Sequence, residues 1–254
     1  MTAAVAVRRV SLTYHTPDGE TRVIDNMSFR VEEGEFVSIV GPSGCGKTSL
    51  LSMIAGLVRP TAGEVLVGGA PVTGPGSSVG YMLQQDHLFP WRTVLDNCLL
   101  GLEVQGRRTA AARRRVLKML GDYGLGEFAH AFPARLSGGM RQRAALVRTL
   151  ALDPKVLLLD EPFSALDYQT RLKLQEEVSR ILRRERRTAI LVTHDIAEAV
   201  SMADRVLVLS RRPARLKREY VIDLPQRGSP VQVREAPEFS RYFRDIWRDL
   251  DVHI

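Results

Sequence analysis

Phe36-Val37-Ser38-Ile39-Val40-Gly41-Pro42-Ser43-Gly44-Cys45-Gly46-Lys47-Thr48 is the stretch from which the rest of the chain can be read. Its first five residues read as a buried strand, the next eight fit G-x-x-x-x-G-K-[ST], and Thr48 to Leu57 continues with helical spacing. Strand, glycine-rich turn and helix form the context in which that pattern holds phosphate. The glycines let backbone N–H groups turn inward, the helix start adds positive dipole, Lys47 neutralises phosphate charge and Thr48 can ligate Mg2+. A plain glycine turn is the weaker reading.

About one hundred residues further on, Val156-Leu157-Leu158-Leu159 reads as a second buried strand and delivers Asp160-Glu161 at its end. Alone, two acids before Pro162 would be a surface turn. Beside a phosphate loop they complete a nucleotide site, with Asp160 holding Mg2+ through its water shell and Glu161 polarising the water that attacks the γ-phosphate. Further strands at Ala189–Val192 and Val206–Leu209 alternate with a helix over Thr170–Leu182 and a short one from Ile196. Near-continuous apolar strands between helices predict a parallel sheet covered on both faces. Upstream, Val5 to Val40 alternates apolar and polar residues, with breaks at Pro17-Asp18-Gly19 and Glu32-Glu33-Gly34, which predicts short strands joined by turns. Glu64 to Val67 is another strand. Between Thr93 and Leu152 the strand pattern fades into a helical insertion, with helices expected at Ala110–Leu120 and Arg141–Leu150. After Pro225 the one periodic segment is Phe239–Leu250, an expected amphipathic helix.

Composition limits what such a chain can be. Its 254 residues are 44% hydrophobic and 26% charged, ordinary values for a globular protein and unlike a disordered, collagenous or coiled-coil one. No apolar run approaches the roughly 18 residues that span a bilayer, and Met1 to Val10 lacks the segments of a signal peptide. Two cysteines, Cys45 and Cys98, allow at most one disulfide and suit a reducing cytoplasm. The net charge of +7 is mild. Its clusters, Arg113-Arg114-Arg115, Arg183 to Arg187 and Arg211 to Arg218, come with no recognition helix, metal-ligand cluster or stacked-aromatic pattern, so no nucleic-acid partner is expected.

Leu136-Ser137-Gly138-Gly139-Met140-Arg141-Gln142-Arg143 resembles the LSGGQ-like signature of the ATP-binding subunits of ABC transporters. The resemblance runs nearly end to end. It implies that Gly41, Pro42, Ser43, Gly44, Cys45, Gly46, Lys47, Thr48 and Ser49 bind the nucleotide, with Tyr14 stacking on adenine. Gln84 and Gln85 both compete for the position that senses Mg2+ and the attacking water, and family spacing to Pro90 favours Gln84. Ser137, Gly138 and Gly139 would contact ATP held by the opposite subunit, and Ser164-Ala165-Leu166-Asp167 would cross the dimer interface. His194, after the apolar Leu191-Val192, matches the switch histidine that contacts the γ-phosphate. The catalytic set so implied is Lys47, Gln84, Glu161 and His194, and the metal set is Thr48, Gln84 and Asp160.

Leu88 to Asn97, with Arg212-Pro213, is similar to importer ATPases for nitrate, sulfonate and taurine. That branch implies an ATPase of a small-solute importer, bound to the cytoplasmic face of the inner membrane. A second ATPase subunit, two membrane permease subunits and, indirectly, an external solute-binding protein would be its partners. An exporter subunit and a soluble non-transport ATPase are the alternatives. The expected fold is an α/β P-loop ATPase core, mainly parallel, with an N-terminal antiparallel β subdomain and an inserted helical subdomain. Residues 1–92 and 153–224 would form the core with the β subdomain, 93–152 the helical part and 225–254 a tail. The chain ends before the regulatory domain of the longer maltose-type ATPases would begin, so a simple subunit is expected. The remaining histidines, His15, His87, His130 and His253, are expected to be surface or packing residues.

Overall fold

The computed structural model describes residues 3–17, 19–224 and 229–250, which form two sheets flanked by helices. β1 (Val5–Thr16) and β2 (Gly19–Val31) make an antiparallel hairpin, so the alternation at the N-terminus belongs to two long strands and not to several short ones. Register shifts at Val7/Val10, Val10/Leu12 and Leu12/Thr13 let the ladder bend without ending. Asp18 lies outside the described residues. β3 (Phe36–Val40) leads into α1 (Lys47–Ile54), and β4 (Ala62–Val67) and β5 (Ala70–Pro71) complete the first sheet in the order β2-β1-β4-β5.

β6 (Val79–Met82) is followed by α2 (Val94–Val104), α3 (Ala110–Asp122) and α4 (Gly138–Leu150). Then come β7 (Val156–Asp160), α5 (Tyr168–Arg184), β8 (Thr188–Val192), α6 (Ile196–Met202), β9 (Arg205–Leu209) and β10 (Leu216–Val221). The second sheet has the order β10-β9-β3-β8-β7-β6, parallel except for β10 at one edge. α7 (Pro230–Val233) and α8 (Phe239–Asp249) lie beyond it.

The parallel strands hold this architecture together because both of their faces are covered. Phe36 and Val40, Leu157 and Leu159, Ala189 and Leu191, and Val206 and Val208 belong to a core shared with the helices α2 to α6. Their alternate neighbours, Val37 and Ile39, Val156 and Leu158, Ile190 and Val192, and Leu207 and Leu209, join a second core with α1 and the antiparallel sheet. A period of two along each strand thus divides one apolar run between two cores. Helix starts are marked by side-chain caps: Thr93, Thr109, Ser137, Asp167 and Asp195 each accept a hydrogen bond from a backbone N–H in the first turn.

The terminal helix forms over Phe239–Asp249 as its periodicity predicts, with Ile246 buried and Tyr220 donating its hydroxyl to Asp249 at 2.6 Å. Residues 225–228 and 251–254 of the tail, with His253, are outside the described residues. Among the described residues no helix is long and apolar enough to cross a membrane.

Candidate active site

The carboxyl ends of β3, β7 and β8 lie side by side, and each carries one part of the site. From β3 comes the glycine-rich loop. Gly44 and Gly46 have φ of +70° and +121°, and a Cβ on Gly46 would stand 2.8 Å from Val23 Cγ1, so glycine is required there for both backbone and space. Gly46 is the N-cap of α1 and supplies no capping side chain, which leaves the first-turn amides facing the loop. Lys47, 6% exposed, donates to the carbonyls of Gly41 at 2.8 Å and Pro42 at 3.0 Å, which holds its ammonium over the loop.

β7 delivers Asp160, buried, with Oδ1 3.3 Å from the Thr48 hydroxyl and Oδ2 accepting from the Tyr81 hydroxyl at 3.1 Å. Burial raises the Asp160 carboxyl above its ordinary range, and these two hydrogen bonds work against that rise. A divalent cation beside it would offset the cost of the buried charge. Thr48 and Asp160 are hard oxygen donors, suited to Mg2+, which keeps waters and shares phosphate oxygens instead of filling an all-protein cage. No cage of three or more His, Cys, Asp or Glu side chains exists among the described residues.

Glu161 follows with φ +46°, a left-handed conformation that costs a non-glycine residue of order 1 kcal/mol and that its N–H bond to the Val192 carbonyl holds in place. That backbone aims the carboxylate at its neighbours. Oε2 lies 3.1 Å from His194 Nδ1 and accepts from Gln84 Nε2 at 3.4 Å. Gln84 also reaches Ser164 Oγ at 3.5 Å; both glutamines line a neighbouring cleft with Asp86 and Gln142, and Gln84 is the one whose amide points to Glu161. His194 sits two residues past β8, whose end is tied to β3 by the Thr193 N–H bond to the Ile39 carbonyl.

The glycine-rich loop, Lys47, Thr48 and Glu161 border an open cleft of about 550 Å3. Its floor is Ser43, Gly44, Gly46, Lys47, Thr48 and Ser49, with Glu161 at one end. Tyr14 stands at the rim, 40% exposed, its hydroxyl 3.4 Å from Ser49 Oγ. Cys45 is buried, and burial pushes its thiol pKa up, which makes it a packing residue of the loop. Ser137, Gly138 and Gly139 do not line this cleft. They open α4, Ser137 Oγ accepting from the Met140 N–H at 3.3 Å, and a Cβ on Gly139 would stand 2.6 Å from Thr170. Asp167 is exposed and caps α5 by accepting from the Thr170 N–H.

The family described as ABC transporter matches residues 24–164, more than half of the sequence. The chain belongs to the ABC transporter family. Among curated relatives, the uncharacterized ABC transporter ATP-binding protein YtlC of Bacillus subtilis is 44% identical over 96% of this chain and 95% of its own length. The nitrate import ATP-binding protein NrtD of a Synechocystis strain is 43% identical over 90% of this chain and 88% of its own. The taurine import ATP-binding protein TauB of Ruegeria pomeroyi is 38% identical over 94% and 90%. Among solved structures, the dimeric post-hydrolysis form of the ATP-binding cassette MJ0796, bound to ADP and Pi, superposes with a TM-score of 0.76 at 32% identity, covering 86% of this chain and 99% of that one. As an ABC transporter chain it is an ATPase, and the α/β fold with its parallel sheet and separate antiparallel sheet is that of the cassettes.

Three residues of the cleft lining, Thr21, Val23 and Arg212, escaped the sequence reading of the site, and Arg212 is the charged one. Arg212, in the β9–β10 loop, lines the cleft and donates Nε and Nη2 to the Gly44 carbonyl at 3.3 and 3.1 Å. The sequence marked Arg212-Pro213 only by its resemblance to one branch of ABC transporters. Its distance of 168 positions from Gly44 hides the contact. What reveals it is the Ile24–Ala214 bridge, which lays this loop alongside β2.

Proposed function

We propose that this chain is the ATP-binding and hydrolysing subunit of an importer for a small solute of the nitrate, sulfonate or taurine kind. The observation that carries the ATPase chemistry is the convergence of Lys47, Thr48, Asp160, Glu161, Gln84 and His194 at one end of one sheet. Lys47 and the loop amides hold the phosphates. Thr48 and Asp160, with Gln84, hold Mg2+. Glu161 takes the proton of the attacking water as its oxygen bonds to the γ-phosphorus and ADP leaves. His194 positions Glu161 and the γ-phosphate, and Tyr14 receives the adenine.

Ser137 to Gly139 lie away from the Lys47 cleft, at the start of α4, where the cap Ser137 and Gly138 are exposed. This supports a site completed by the signature helix of a second ATPase subunit, with Asp167 near the contact. The dimeric cassette MJ0796 is consistent with that pairing. Hydrolysis then removes the phosphate that bridges the two chains, and the dimer reopens.

The solute class rests on the similarity to NrtD and TauB. Two permease subunits would form the pathway, an external binding protein would deliver the solute, and this chain would sit at the cytoplasmic face of the inner membrane. Residues 93–152 form the helical part, between the two core segments 1–92 and 153–224. The loop before α2 is suited to docking: Trp91 is 70% exposed and stacks on Phe89 with centroids 5.0 Å apart. Buried Asn97 makes that loop rigid, its Nδ2 donating to the carbonyls of Phe89, Arg92 and Thr93 while Oδ1 accepts from the Phe89 N–H. Arg92 pairs with Glu103, so a charge reversal there would break an internal bridge, and Trp91 is the better residue for probing the contact.

Affinity isolation of the chain from gently solubilised host membranes tests this reading. A co-purifying multi-spanning protein supports the importer subunit. Soluble partners alone would reassign the output of the ATP site. Within the cleft, Arg212→Ala is expected to raise the KM for ATP about tenfold, with kcat within about twofold, by freeing Gly44 and removing a cation from beside the phosphates. Steady-state hydrolysis measures both constants, and an unchanged KM would exclude Arg212 from nucleotide binding.

A further inference from the structure

Glu198 lies on α6 and is 3% exposed, yet it has no part in the chemistry above. Gln175 of α5, fully buried, donates its Nε2–H to Glu198 Oε1 at 2.8 Å. On its other side, Gln175 Oε1 accepts from Arg234 Nη2 at 3.1 Å. Arg234 follows α7 in the C-terminal segment, and that segment is held to α5 a second time by Ser229 Oγ and Glu176 at 3.4 Å. The Glu198 N–H donates to Asp195 Oδ1 at 3.1 Å, and the Asp195 N–H in turn donates to Thr193 Oγ1 at 3.0 Å. Between Thr193 and Asp195 stands His194.

The donors in this run point one way. An arginine N–H is given to the glutamine oxygen, and the glutamine N–H is given to the carboxylate. A flipped Gln175 amide would set oxygen against carboxylate and N–H against guanidinium, so Arg234 dictates the orientation that Glu198 receives. The remaining charges around Glu198 are Asp195 and Arg171. Arg171 lies 3.7 Å from Asp195 and donates to the Leu166 carbonyl, which ties α5 to the same loop cluster.

We propose that Arg234 is a positioning residue for hydrolysis: through Gln175, Glu198 and the Asp195–Thr193 turn, the C-terminal segment fixes the His194 ring against Glu161. The inference rests on the hydrolytic role given to His194 above. It makes the tail part of the ATPase and not merely a cover on its core.

The full chain carrying Arg234→Ala is expected to lose about tenfold in kcat for Mg-ATP while KM stays within about twofold, the size of one partly buried charge-assisted hydrogen bond. Arg234→Lys, which restores one N–H donor, should recover most of that loss. On a Gln175→Leu background, Arg234→Ala should cost almost nothing more, because the path is already cut. The ring signals of His194 in 1H–15N spectra of the nucleotide-free chain should move in Arg234→Ala and return in Arg234→Lys. Native kcat with unmoved ring signals would overturn the proposal. So would parallel losses in kcat and KM with a lower Tm and no rescue by lysine, which mark a structural role. His194→Ala is measured alongside: native turnover in that variant would overturn the hydrolytic reading of His194 and with it the kinetic half of the proposal, while the ring signals still report the connection.

Discussion

The Glu161→Gln chain is expected to bind ATP with an affinity within about twofold of the native value while its turnover falls by roughly 10²–10⁴. Glutamine matches the carboxylate in shape and can keep the contacts with His194 and Gln84, but it cannot take the proton of the attacking water. The left-handed backbone at Glu161 is held by the Val192 carbonyl and not by its side chain, so the replacement should stand where the carboxylate stood. Single-turnover hydrolysis, paired with equilibrium binding of ATP, separates the two effects. Native turnover would remove Glu161 from the role of base.

Glu198→Gln is expected to change how stability depends on pH. Burial pushes the Glu198 carboxyl up to about 7 from an ordinary 4.5, with Asp195 adding to the rise and hydrogen bonds from Thr193 and Gln175, with Arg171, opposing it. The folded chain therefore holds this proton more tightly than the unfolded one. The associated stability is fully present below about pH 4.5 and is lost as pH rises through about 7, a change on the order of 3 kcal/mol by linkage. A glutamine has no proton to lose there. Relative to the native chain, the variant should gain about 3 kcal/mol between pH 4.5 and pH 8, whatever the constant offset between the two proteins. Urea titrations at both pH values measure this difference, and a flat difference would mean that Glu198 stays ionised in the fold.

What could be read from the sequence follows from how each element is stabilised. β3, β7 and β8 are buried along their whole length, so they appear as apolar runs, and the phosphate loop between β3 and α1 declares itself by glycine and lysine spacing. β6 was missed because it has four residues and contains Gly80, whose missing side chain makes room for Pro154 and Thr149. β10 was missed because it is a charged edge strand, paired on one side only. The helix expected at Arg141–Leu150 begins three residues earlier, at Gly138, because glycines carry no periodicity of their own, and α2 was legible only as part of a helical region. In the site, Lys47, Thr48, Asp160 and Glu161 stand in local patterns with strand context. Arg212, Tyr81 and the Arg234–Gln175–Glu198 run depend on contacts across 23 to 168 positions, which no local spacing records.

Because neighbouring residues of β3, β7, β8 and β9 belong to different cores, neither core can loosen while the strands between them stay paired. Backbone amides in these strands should exchange with deuterated solvent only through opening of the whole molecule. α3, which buries only Val116 and Leu120, should exchange far sooner. The chain thus joins a rigid plate carrying Lys47, Asp160 and Glu161 to one lightly buried helix, α3, and fraying of α3 would leave the phosphate-holding groups where they are.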